Sequence, residues 1–241
     1  MSRSIIIALN VYQEQLLLPE CLESVVKNAP KNYKIVAVDG AYQAFMTQSK
    51  VLGAQALAQG KEAEADLYFQ YTYPASQDET VNILKDFGVD EIVLAPKEGW
   101  ENEHVKRSEY FRQGKDGDYF FVLDADERVV GKIPEPEELD EHYDWCINLK
   151  RDDGINAYPI MRIHRFRDTM RYEGAHHALF ANGQLIKRDD CQKAGALLQN
   201  CSLYHRWEHR GNTNPIRHKC KGAYYRQLSM SEERFRALNG I

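Results

Sequence analysis

Residues Tyr119 to Val129 read Y-F-F-V-L-D-A-D-E-R-V: five apolar residues, then Asp124-Ala125-Asp126-Glu127. A continuous apolar run is what a strand buried on both faces requires. Ending it in two carboxylates two residues apart sets hard oxygen ligands where strand gives way to loop, within reach of one divalent cation. On this spacing Asp126 is the direct ligand, and Asp124 acts through water or holds a ribose hydroxyl. A solvated acidic turn is the plain alternative.

Upstream, the same kind of run recurs. Ser4 to Leu9, Lys34 to Val38 and Glu91 to Ala95 each read as a buried strand, and helical patterns lie between them. Leu18, Cys21, Leu22, Val25 and Val26 form the stripe of one helix, with Pro19 in its first turn. Ser76 and Glu79 have capping-box spacing for another, whose core face is Val81, Ile83, Leu84 and Phe87 and which Gly88 stops. A polar helix is expected over about Glu101 to Gln113. Strands joined by such helices predict an α/β fold with a mostly parallel central sheet. Ligands of such sheets bind beyond the carboxyl ends of the strands, where Asn10, Asp39 and Asp124 stand.

Between Tyr42 and Pro74 the alternation stops. Ser49 to Asp66 reads as an inserted surface helix, followed by the aromatic segment Leu67 to Tyr73. Beyond Gly131, Ile133 to Glu141 reads as a loop. Trp145 to Leu149, Ile160 to Phe166 and Ala178 to Ile186 read as strands, with Asn182-Gly183 a turn, and a helix is expected from Arg217. The expectation is one domain, 1–241, with a ligand-binding half at 1–130, a smaller half at 131–241 and an inserted segment at 43–75.

The composition sets limits. The 241 residues are 43% hydrophobic and 28% charged, ordinary for a globular chain. No apolar run approaches the ~20 residues of a membrane span. Five cysteines with no C-x-x-C pair argue against a disulfide framework and a zinc ribbon, so the expected location is cytoplasmic. The net charge of −5 is uneven: residues 1–149 carry 14 Lys and Arg against 27 Asp and Glu, net −13, and residues 150–241 carry 17 against 9, net +8. The second part also holds six of the eight histidines. A basic face for an anionic partner and a merely solvated basic surface both fit this split.

The segments ALNVYQEQ, VAVDGAY, SQDETVNILKDFG, VKRSEYF and YFFVLDADERV, in that order, resemble the family 2 glycosyltransferases of GT-A fold. RYEGAHHALF and LYHRWEH are similar to the Gly-x-x-His and downstream His elements of bacterial members. The resemblance implies a metal-dependent transfer from a nucleotide-diphosphate sugar, UDP-sugar favoured, to an acceptor hydroxyl, with inversion. Asn10, Asp39, Asp78, Lys106, Arg107, Asp124 and Ala125 would then bind the nucleotide sugar. Asp39 would accept from uracil or ribose, Asp78 would shape the nucleoside pocket or cap its helix, and Lys106 or Arg107 would pair with the diphosphate. The metal, Mn²⁺ favoured over Mg²⁺ if an imidazole joins the carboxylates, would sit on Asp124, Asp126, and His177 or His205. Ala178 stands where the family has Glu. Inversion needs a carboxylate base, for which Glu173 comes first, then Asp152 and Asp153. Trp100, Tyr204 and Trp207 read as core or as stacking platforms.

Two rival readings remain. A sugar nucleotidyltransferase would carry a Gly-rich basic loop after the first strand, where this chain has Asn10-Val11-Tyr12. A catalytically silent binding module would keep the fold without the chemistry. The acceptor is open, with nucleic acid, a phosphate-bearing polymer or a lipid phosphate as the anionic possibilities, and so is a homo-oligomer.

Overall fold

The computed structural model describes residues 3–152, 157–173 and 178–206. The elements in chain order are β1 (Ile5–Val11), α1 (Leu18–Asn28), β2 (Tyr33–Asp39), α2 (Gln43–Ala58), α3 (Glu62–Phe69), α4 (Thr80–Asp86), β3 (Glu91–Val93), α5 (Glu103–Ser108), β4 (Tyr119–Asp124), β5 (Glu127–Gly131), β6 (Asp144–Arg151), β7 (Tyr158–Arg165), β8 (Arg171–Glu173), β9 (Ala178–Ala181), β10 (Gln184–Leu185), α6 (Arg188–Lys193) and β11 (Leu197–His205). Short 3₁₀ turns follow α3 and α5 and precede β6.

Eight strands form one sheet in the order β3-β2-β1-β4-β7-β6-β11-β5, and β10-β9-β8 form a second. The first four strands of the large sheet are parallel, as the apolar runs predict. β4 meets β7 antiparallel and β11 meets β5 antiparallel, so the sheet is mixed. This sheet runs through both halves of the chain.

Both faces of the parallel strands are covered, which is why their sequences are apolar without alternation. Ile5, Ile7, Leu9 and Val11 of β1 pack with Leu18, Cys21, Leu22 and Val25 of α1 in one core. Ile6 and Ala8 pack with Phe45 and Met46 of α2 and Tyr68 of α3 in the other. Phe121 and Phe120 of β4 divide in the same way.

Several boundaries differ from expectation. Val26 is 48% exposed and does not join the α1 stripe, which is Leu18, Cys21, Leu22 and Val25. The inserted helix begins earlier, at Gln43, and is two helices separated at Gly60, whose φ of 72° ends α2. The Ser76–Glu79 capping box is absent. α4 starts at Thr80, whose N–H donates to Asp78 Oδ1 at 3.0 Å. α5 ends at Ser108 and continues as a 3₁₀ turn to Gln113. β5, β8 and β11 were not expected. The helix expected from Arg217 lies outside the described residues.

The insertion closes on itself at its base. Ala41 N–H donates to Pro74 O at 2.7 Å, so the ends of the excursion meet. Gly40 makes this approach: at φ 111° a Cβ would stand 2.4 Å from Pro74 O and 2.4 Å from Ala95 Cβ. Trp100 braces the same corner by backbone bonds to Ala41 and Gln43 and by Nε1–H donating to Asp39 O at 2.8 Å. Trp100 is thus core, at 6% exposure.

Candidate functional site at the strand ends

Register gathers the site. Asn10 stands opposite Asp124 across β1 and β4, and Val11 opposite Asp39 across β1 and β2. Three strands therefore deliver their polar residues to one edge of the sheet. β5 turns back just after Asp126, and β11 pairs with it so that His205 faces Glu127. This brings His205 Nε2 to 3.3 Å from Asp126 Oδ2, and Arg206 N–H donates to Asp126 O at 2.9 Å. Asp126 is wholly buried.

Asp124 is held by two guanidinium groups. Arg107 Nη2 donates to its Oδ1 at 2.7 Å and Arg162 Nη2 to its Oδ2 at 3.3 Å. Arg107 also pairs with Glu103 at 3.2 Å, and Arg162 with Glu127. Glu127 Oε2 accepts the Asp124 N–H at 2.9 Å. The result is a chain of alternating charge, Glu103–Arg107–Asp124–Arg162–Glu127, running from α5 to the turn. Complete burial pushes the Glu127 carboxyl up to about 7; Asp124 and Asp126 push it the same way, and Arg162 opposes them. Burial needs such pairing, since an isolated charge there would be prohibitively desolvated.

The segment Ser76-x-Asp78-x-Thr80 clasps the loop after β1. Ser76 Oγ accepts the Gln13 N–H at 2.8 Å, Thr80 Oγ1 the Glu14 N–H at 2.7 Å, and Asp78 Oδ2 the Gln15 N–H at 3.1 Å. Ser76 in turn donates to both oxygens of Asp39, from Oγ at 2.5 Å and from N at 2.9 Å. Asp39 has no exposed surface, and burial raises its pKa despite Lys106 and Ser76. Asp78 thus accepts the first amide of α4 with one oxygen and an amide of the β1 loop with the other. Lys106 Nζ donates to Val11 O at 2.7 Å and Gly40 O at 2.6 Å, tying the ends of β1 and β2. Of the two cations expected at a diphosphate, Lys106 is therefore engaged with backbone carbonyls and Arg107 with Asp124.

Glu173 lies away from these carboxylates on the small sheet, hydrogen-bonded to Arg171 at 2.6 Å. Asp152 lies at the site instead: its N–H donates to His205 O at 3.2 Å, and its Oδ2 is 3.9 Å from Arg206 Nε. Tyr204 is half-buried on β11, one residue before His205. Asp153, His177 and Trp207 lie outside the described residues. Glu103, Glu127 and Arg162 were missed. Arg162 had a signal, a charged residue between Met161 and Ile163 in a strand that is otherwise largely apolar.

Two carboxylate and imidazole donors 3.3 Å apart suit one divalent ion, since ligands ~2.1 Å from a metal at near-right angles are separated by about 3 Å. Among the described residues no group of three His, Cys, Asp or Glu forms a fuller cage. A two-residue set fits an ion that takes its remaining ligands from water and substrate phosphates.

No protein family and no curated protein matches the chain. Among solved structures it is similar to S. aureus TarS, a glycosyltransferase, at 14% identity and TM-score 0.50, over 86% of this chain and 37% of that one. TarS 1-349 matches at 15% identity and TM-score 0.47, over 86% and 60%. TarS 1-349 in complex with UDP-GlcNAc matches at 16% and 0.39, over 73% and 41%. This chain spans less than two thirds of the length of each. The likeness shows a GT-A-like α/β fold with a large curled sheet flanked by helices.

Proposed function

We propose that the protein transfers a sugar from a nucleotide-diphosphate donor, UDP-sugar favoured, to an acceptor hydroxyl, with inversion and with a divalent metal, Mn²⁺ favoured over Mg²⁺. The observation that carries this is the meeting of Asp126 and His205 at 3.3 Å, on the edge where β1, β2 and β4 end. Asp126 and His205 would hold the metal, with Asp124 behind them. When bound, the ion supplies Lewis-acid neutralisation of charge on the departing diphosphate.

The chain's own residues prepare for that charge. Arg107 and Arg162 fix the Asp124 carboxylate from both sides and would stand as preorganised cations beside the leaving group. The Ser76–Asp39 clasp and the three bonds to residues 13–15 hold the β1 loop that would line the nucleoside pocket. One carboxylate must take the acceptor proton. Glu173 is the first candidate for that base and Asp152 the second, and comparing Glu173→Gln with Asp152→Asn separates them.

The test is thermal stabilisation by UDP and UDP-GlcNAc with and without Mn²⁺, followed by donor hydrolysis. A ligand at 100-fold saturation adds about 2.7 kcal/mol. A Mn²⁺-dependent shift that disappears in Asp126→Ala and His205→Ala supports the reading. No shift with any nucleotide sugar overturns it.

A further inference from the structure

We infer that the cleft between α5 and β8 is an acceptor site built for a neutral saccharide rather than for a phosphate-bearing chain. The inference rests on the transferase reading. The cleft measures about 590 Å³, within the roughly 300–1,000 Å³ of small-molecule sites.

Its position links it to the strand-end site. On α5, Glu103 and Arg107 stand four residues apart on the face that grips Asp124, while His104 and Ser108 stand four apart on the face that lines the cleft. Ser108 Oγ accepts the Tyr172 N–H at 2.9 Å, which seals helix to strand. One short helix therefore contributes side chains to both the ion chain and the cleft, and Glu173 lies on the cleft side.

The lining selects the ligand. Phe111, Phe166, Met170 and Tyr172 make an apolar floor, and Phe111 and Tyr172 are packed 5.4 Å apart. Such a floor takes the C–H face of a sugar ring. Above it the charges cancel in pairs: Arg112 lies 3.0 Å from Glu109, and Arg171 pairs with Glu173. Asp168 adds one further negative charge, and burial lowers the pKa of His104, so its imidazole is neutral at pH 7 with one donor and one acceptor. Among the described residues no cation of the lining lacks its own carboxylate, so they offer a phosphate group no net positive field. Paired guanidinium and carboxylate groups offer fixed donors and acceptors at the spacing of neighbouring hydroxyls. The basic excess of residues 150–241 is thus not expressed in this cleft.

The experiment is saturation-transfer NMR of the full chain with two matched sets of probes. The neutral set is methyl β-glucopyranoside, lactose and N,N′-diacetylchitobiose; the anionic set is glucose 6-phosphate and glucuronate. Arg112 is largely solvent-exposed, at 74% of its side chain, so Arg112→Ala folds, and Asp168→Ala serves as a second variant at an exposed position. The expected result is binding of a neutral probe, at least tenfold weaker in both variants, with UDP binding and the melting temperature unchanged. Preference for the anionic probes, neutral binding that both variants leave intact, or no saccharide binding at all overturns the assignment. UDP binding measured on the same samples reports separately on the donor reading, so either claim can fail without the other.

Discussion

Arg107 Nη2 lies 2.7 Å from Asp124 Oδ1, and this contact joins the helix before β4 to the residue that ends β4. The guanidinium is 7% exposed and Glu103, its other partner, 4%. Removing the cation therefore takes from the buried Glu103 and from Asp124, which is 20% exposed, the charge that they share. Arg107→Met should destabilise the fold by about 3–5 kcal/mol, measured by urea unfolding. Arg107→Lys retains charge but not the fork that reaches both carboxylates, and should recover only part of the loss. An Arg107→Met protein as stable as the parent would show that the chain of charges is not a structural element.

Gly40 and Gly60 both have positive φ, but only Gly40 is crowded. Nothing lies within 4 Å of a Cβ at Gly60, whereas Gly40 abuts Pro74 O. Gly60→Ala should cost about 1–2 kcal/mol for its left-handed backbone. Gly40→Ala adds the clash to the strain and should cost clearly more. Equal melting temperatures for the two variants would contradict the closed stem.

The bond from Glu14 N–H to Thr80 Oγ1 is buried, so deleting the hydroxyl leaves a donor unsatisfied. Thr80→Val should cost about 1–3 kcal/mol. Amide hydrogen exchange is the sharper measurement: protection should fall at Gln13, Glu14 and Gln15 together while β1 stays protected. Loss confined to Glu14 would mean that the three bonds act independently.

Two buried carboxylates give opposite pH dependence. Burial raises Asp39 above its ordinary 3.8 in the folded state, so the native protein holds a proton that the unfolded chain has released. Stability from this group is then full below 3.8 and falls as pH rises toward the raised value. Burial also pushes Asp144 up, but hydrogen bonds and charge from His164 and Arg167 outweigh it and hold the group below 3.8. Its contribution is present above 3.8 and is lost as pH falls through the lowered value. In metal-free buffer, Asp39→Asn should flatten the loss on the higher-pH side and Asp144→Asn the loss in acid. Urea midpoints between pH 3 and 7 check both.

The parallel half was legible because a strand covered on both sides has one composition, and Ile5 to Leu9 and Tyr119 to Leu123 have it. Asp126 was legible for a local reason, its place just past such a strand. The contact with His205 depends on β11 pairing with β5 across some 70 residues of chain, and no local pattern encodes that register. Ser76 misled because a serine three residues before a glutamate has a local use as a cap and a tertiary use as a partner for Asp39. The tertiary use prevails here, since Asp39 is buried and needs two donors. Arg107 read as a cation for the diphosphate and Glu103 was not singled out; only the place of Asp124 at the end of β4 shows that their face of α5 is interior.

The hydrogen bond between Ala41 and Pro74 brings the ends of the excursion from Tyr42 to Tyr73 together, while Phe45, Met46 and Tyr68 within it cover one face of the sheet. Its length hardly affects the entropy of closing the chain, since that cost grows only with the logarithm of loop size. Evolution or a designer can therefore lengthen the open turn at Gly60, where nothing lies within 4 Å of a Cβ, while Asp39 and Ser76, 37 positions apart in sequence, stay in contact. In terms of descent that turn is a splice point, a place where new surface is acquired without redrawing the chemistry at the strand ends.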